Sequence, residues 1–244
     1  MSARAGRYAA AYTHREPSRD DELRLLLRWI VGQPANGLLF VGPEARAIDN
    51  STIASGLVRS GNALYTTWRN KDSWRQERVI ALWPNAKVLQ QLDDVSTVKA
   101  LGVLTWLLDD VAPWASGVGA VDVLGEATAE TPTIQDPVVL GALRSLTNSV
   151  NRSTGLGHPS DWDHAVQMFR TLRKRGHAFD GDEIEAWAIA NGWSYRHAAQ
   201  VGQLAREIAA GKTKRTKSRA SWAPTAATVE HWREVGADGE WSPV

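Results

Sequence analysis

Short, nearly unbroken apolar runs fenced by turn residues limit what the first half of this chain can become: GLLFVG from Gly37, RVIALWP from Arg78, ALGVLTWLL from Ala100 and GAVDVLG from Gly119. Such runs suit strands buried on both faces, because a strand with one wet face alternates apolar and polar residues. Between them lie helix-like pieces, DNSTIASGLVRSG, NAKVLQQLDD with Asn85 as its cap, and DDVAPWASG, and NALYTTW adds a possible further strand. Strand, helix and strand in alternation imply parallel pairing with right-handed crossovers. The expectation is a three-layer α/β domain with a mostly parallel sheet over residues 20–126. Its first helix is SRDDELRLLLRWIVGQ, with Ser18 as cap, acids at 20–22 near the positive end of the dipole, and Leu23, Leu26, Leu27 and Ile30 on one face.

Residues 1–19 are small, polar and basic and read as a flexible arm. The Thr-, Pro- and acid-rich stretch 127–137 reads as a linker. Past it the strand-like runs stop and helical periodicity takes over, so residues 138–212 are expected to form an all-α domain. SDWDHAVQMFRTLRKRG begins with a capping-box pattern at Ser160 and Asp163, Asp180 caps GDEIEAWAIANG, and Ser194 caps a long helix that Gly211 ends. Residues 213–244 read as a basic segment and tail. The tail holds three of the twelve Trp residues, Trp222, Trp232 and Trp241, and a short helix around ATVEHWREVG could dock back on the body.

Zero cysteines exclude disulfides, cysteine-ligated metal and thiol nucleophiles. No apolar run is long enough for a membrane span and the N-terminus lacks a signal-like apolar region, which gives the cytoplasm as the expected address. The net charge of +1 hides two poles: residues 165–220 hold 11 Lys and Arg against 5 Asp and Glu, whereas residues 91–140 hold one Lys against 8 acids. A local basic surface concentrates phosphates near it whatever the global sum.

Within the basic half, AIANGWSYRHAAQVGQLAREIAAGKTKR places Ala188, Gly192 and Ala198 at the spacings of a helix-turn-helix. Val201, Leu204, Ala205 and Ile208 face inward. Arg196, Gln200, Gln203 and Glu207 form the outward stripe, with Tyr195 and His197 near its N-terminal end. Arg can donate bidentately to guanine, Gln can pair with adenine, and Tyr or His can stack or touch phosphate. Two basic runs flank this candidate reader: Arg170, Arg173, Lys174 and Arg175 one helix earlier, and Lys212, Lys214, Arg215, Lys217 and Arg219 just after it. Clusters of this kind contact backbone phosphates and release counterions. The leading expectation is therefore a DNA-binding protein that needs no cofactor or metal, with duplex DNA as its partner. The same pattern also suits a plain antiparallel helix pair with a solvated outer face.

Two alternatives stand beside it. Asp109 and Asp110, directly after a strand, or the NSVNRSTGLGHPSDWDH loop with His158, Asp161, Asp163 and His164, could serve a phosphate- or metal-dependent enzyme. The tail Trp residues could instead dock a protein partner or a second copy. TTWRNKDSWRQER, with Trp68 and Trp74 among Arg69, Lys71, Arg75 and Arg78, could stack on bases, but reads better as an amphipathic connector. Phosphate-loop, dinucleotide-fingerprint, serine-elbow and HExxH patterns are all missing, which disfavours nucleotidases, simple dinucleotide enzymes and their relatives.

Overall fold

The computed structural model describes residues 8–14, 19–125, 127–151, 154–217 and 223–242, Arg19 by its backbone. The chain divides into two compact units, Ala5–Glu130 and Thr131–Val244. No helix among the described residues is long and apolar enough to cross a membrane.

The first unit is α/β. Its strands are β1 (Ala9–Thr13), β2 (Leu39–Gly42), β3 (Leu64–Thr67), β4 (Arg78–Leu82), β5 (Ala100–Leu104), β6 (Val121–Asp122) and β7 (Ala127–Thr128). They form one sheet in the order β3-β2-β4-β5-β1-β6-β7, parallel except for the β6–β7 pair. Helices α1 (Arg19–Val31), α2 (Thr52–Arg59), α3 (Ala86–Asp93) and α4 (Ala112–Val118) connect them. Neighbouring residues of β4, Val79 and Ile80, are both fully buried, as are Ala100 and Leu101 of β5. A strand sealed on both faces needs a layer on each side, as the continuous apolar runs require. Ile80, Leu82, Leu104 and Phe40 share one core with Leu23, Leu26 and Ile30 of α1. Asn85 caps α3, its Oδ1 accepting from the Val88 N–H at 3.0 Å. The expected cap of α1, Ser18, lies outside the described residues.

One correction concerns the arm. Residues 9–13 are not a loose extension but β1, paired with β5 from Ala9↔Ala100 to Thr13↔Leu104 and with β6 on its other side. Ala11 and Thr13 are fully buried. Alanine is a poor strand former by itself, and burial between two neighbours decides its conformation here. The connector with Trp68 and Trp74 holds β3 and β4: Trp74 is buried, and the Arg78 guanidinium donates to the carbonyls of Val31 and Gln33.

The second unit is helical: α5 (Pro137–Ser149), α6 (Pro159–Lys174), α7 (Gly181–Ala190), α8 (Tyr195–Ala209) and α9 (Ala226–Ala237). Asp136 caps α5 and Asp180 caps α7, where its carboxylate accepts from the Asp182 and Glu183 N–H groups. The cap of α6 is His158 and not Ser160; Asp163 is buried and does other work, described below. The expected tail helix is α9, an integral element with its Val229 and Trp232 buried. It packs on α5 backbone against backbone: a Cβ on Gly141 would lie 1.7 Å from the Trp232 carbonyl oxygen, and one on Gly236 would lie 1.8 Å from that of Pro137.

Candidate nucleic-acid interface

The candidate reader begins with the turn between α7 and α8. Gly192 takes φ +90°, the left-handed conformation that the turn demands and glycine supplies. Ser194 then caps α8, its Oγ accepting from the His197 N–H. Val201, Leu204, Ala205 and Ile208 are buried, as the periodicity expects.

The two helices do not splay apart as a groove-reading pair does. A Cβ on Gly202 would lie 2.7 Å from the Gly181 carbonyl oxygen, so the first residue of α7 touches the second half of α8. Crossed at a right angle over Ala188 and Ala198, the two glycines would sit roughly 15 Å apart, given ~1.5 Å rise per residue and ~8 Å between axes. The pair is a closed helical hairpin. Arg206 locks it further, donating to the Glu185 carboxylate at 3.0 Å and to Asp182.

Not every expected contact residue reaches the surface. Tyr195 is 2% exposed, which removes its ring from any stacking or phosphate role. It follows the buried Trp193, and the ring's large apolar area outweighs its place at an exposed-looking helix start. His197 is half-buried and packs on the turn at Gly155, where a Cβ would approach its ring to 2.6 Å. Arg196 and Gln200 are exposed and have no side-chain partner among the described residues. Gln203 is also exposed.

The two basic runs do meet. After Gly211 the chain turns back and residues 212–217 lie along α6 in the opposite direction. The Arg173 guanidinium reaches Gly211, with its Nη2 3.1 Å from where a Cβ would stand. Arg170 donates to the Lys214 carbonyl, and Trp162 Nε1 donates to that of Arg215 at 3.0 Å. Asp163 accepts the Lys217 N–H at 2.5 Å, and the Lys217 ammonium stands 4.7 Å over the Trp162 ring. Arg173, Lys174, Arg175, Lys212, Arg215 and Lys217 are all exposed. Lys214 and Arg170 are the half-buried members among the expected cations; Lys214 pairs with Glu207, whose second oxygen lies 3.7 Å from the Lys212 ammonium. The hydrogen bond from Lys214 holds the Glu207 carboxyl below the ordinary carboxylate range. Arg219 lies outside the described residues. Sequence reasoning missed Trp162, Asp163 and Arg170 as the scaffold of this segment, because backbone anchoring leaves no mark in a charge pattern.

Three of the residues expected to serve an enzyme have structural partners. His158 caps α6, Asp163 holds Lys217, and His164 Nδ1 lies 3.2 Å from Ser149 Oγ, with burial pushing its pKa down. Asp109 and Asp110 are exposed in a short turn. Among the described residues no three His, Asp or Glu side chains gather at metal-binding spacing. Of the Trp residues expected to dock a partner, Trp232 lies in the core and Trp241 stacks on Trp187, 6.0 Å between ring centres. Trp222 lies outside the described residues.

A family model described as a domain of unknown function (DUF1889) matches residues 135–233, from just before the cap of α5 into α9. The match covers most of the helical unit and none of the α/β unit. No curated protein and no solved structure matches the chain.

Proposed function

We propose that the helical unit binds nucleic acid, duplex DNA first, through a face built from the C-terminal end of α6, the 212–217 segment and the outward stripe of α8. The observation that carries this reading is the Glu207 pairing. Glu207 is the last member of the stripe Arg196, Gln200, Gln203 and Glu207, and it holds Lys214 and Lys212. The stripe and the basic segment therefore share one side of the unit. Arg173, Lys174, Arg175, Lys212, Arg215 and Lys217 would contact phosphates, and Arg196 and Gln200 are the stripe residues free to reach base edges. The closed α7–α8 hairpin favours contact dominated by the phosphate backbone over deep insertion of α8 into a groove.

Changing Lys212, Arg215 and Lys217 together to Ala is expected to weaken binding of a labelled duplex about tenfold at low salt, and to flatten the slope of log affinity against log salt by about two to three. Fluorescence anisotropy at a series of salt concentrations measures both. Unchanged affinity and slope would sink the proposal. The three side chains are exposed, so the fold should survive the change.

A further inference from the structure

Two ammonium groups on the proposed phosphate-binding face already converge on one anion, and that anion is supplied by the chain itself. The Glu207 carboxylate pairs with Lys214 through one oxygen, and its other oxygen stands 3.7 Å from the Lys212 ammonium. Gln203, one turn earlier in the outward stripe, hydrogen-bonds it as well. The Glu207 and Lys214 side chains are only 19% and 24% exposed, so salt screens this pair less than it screens an ordinary surface pair. A carboxylate gripped by ammonium and amide donors is held as a phosphate oxygen would be.

The carboxylate is not what holds the basic segment in place. The Lys212 N–H donates to the Glu207 backbone carbonyl at 2.9 Å, Arg170 donates to the Lys214 carbonyl, Trp162 Nε1 to that of Arg215, and the Lys217 N–H to Asp163. These anchors fix the backbone of 212–217 whether or not the Glu207 side chain is charged. What that side chain adds is one negative charge against two positive ones, at the place where a phosphate would meet them. We propose that Lys212 and Lys214 form a phosphate subsite that Glu207 occupies from within, so that the basic face limits its own affinity. A backbone phosphate must displace the carboxylate to reach Lys214, and a lysine already neutralised has no counterion to release. The inference rests on the nucleic-acid reading and concerns the regulation of that same face.

Glu207→Gln keeps the side-chain shape and removes the charge. In fluorescence anisotropy over a salt series, the full chain carrying it is expected to bind a labelled duplex about threefold to tenfold tighter than the parent at low salt. The slope of log affinity against log salt should steepen by about one. Glu183→Gln removes the same charge from an exposed residue of α7 and should leave affinity close to that of the parent. Glu207→Gln combined with Lys214→Gln restores the parent's net charge and should return affinity to the parent's level. Glu207→Gln binding no tighter than the parent would overturn the inference, as would an equal gain in Glu183→Gln or a gain that survives loss of Lys214. A parent that binds while Glu207→Gln changes nothing removes this inference alone, whereas a duplex that neither protein binds removes the nucleic-acid reading with it.

Discussion

Gly141→Ala is expected to destabilise the helical unit by about 3 kcal/mol, at the upper end of the cost of overpacking. The added methyl would stand 1.7 Å from the Trp232 carbonyl oxygen and 2.8 Å from the Gly236 nitrogen. Both are backbone atoms of α9, so no side chain can swing aside. α5 and α9 must move apart, which loosens the buried Trp232 and Val229. Gly236→Ala should cost a similar amount, since its methyl meets the Pro137 carbonyl oxygen at 1.8 Å. Because both changes force the same separation, the double variant should lose clearly less than the sum of the two. Gly56→Ala in α2 is the internal control: its Cβ would meet nothing within 4 Å, and helix propensity predicts a gain of up to about 1 kcal/mol. Thermal and urea unfolding of the four variants and the parent measure these differences. A Gly141→Ala protein melting within about 2 °C of the parent would show that the close approach does not hold the helices together.

That contact marks the limit of what the sequence could tell. Periodicity finds α5 and α9 one at a time, but nothing in PVVLGALRSLTNS says that its glycine faces another glycine 95 positions away. The strands β2, β4 and β5 were legible because continuous Val, Leu and Ile runs have few other fates. β1 was not, because AAAYT owes its strand to its neighbours and not to its own preferences. The functional face divides in the same way. Its cations were countable along the chain, while their gathering depends on Trp162, Asp163 and Arg170 gripping the backbone of 212–217. Tyr195 was misplaced because its position on the helix suggested exposure and its ring demanded burial.

Arg206→Ala is the other change with a large expected effect, and its size should depend on pH. The Glu185 side chain is 6% exposed and Arg206 Nη2 lies 3.0 Å from its carboxylate. Burial pushes the Glu185 pKa up, while the hydrogen bond and charge of Arg206 pull it back. A carboxyl raised in the folded state holds its proton there longer than in the unfolded chain. Stability from this group therefore falls as pH rises from the ordinary carboxylate range through the folded pKa. Removing Arg206 takes away the opposing pull, so the folded pKa climbs further and the fall steepens. The expected loss is about 2–3 kcal/mol near neutral pH, below the usual cost of orphaning a buried charge because Arg206 is itself a third exposed. Near pH 5, where Glu185 is more readily protonated in the variant, the loss should shrink toward the packing contribution of the Arg206 stem against Gly181. Adding Glu185→Gln to Arg206→Ala should recover part of the neutral-pH loss, since an amide costs less to bury than an unpaired carboxylate. Urea unfolding of the three proteins across this pH range decides the matter: a loss that stays constant with pH would mean that the ion pair acts only as packing between α7 and α8.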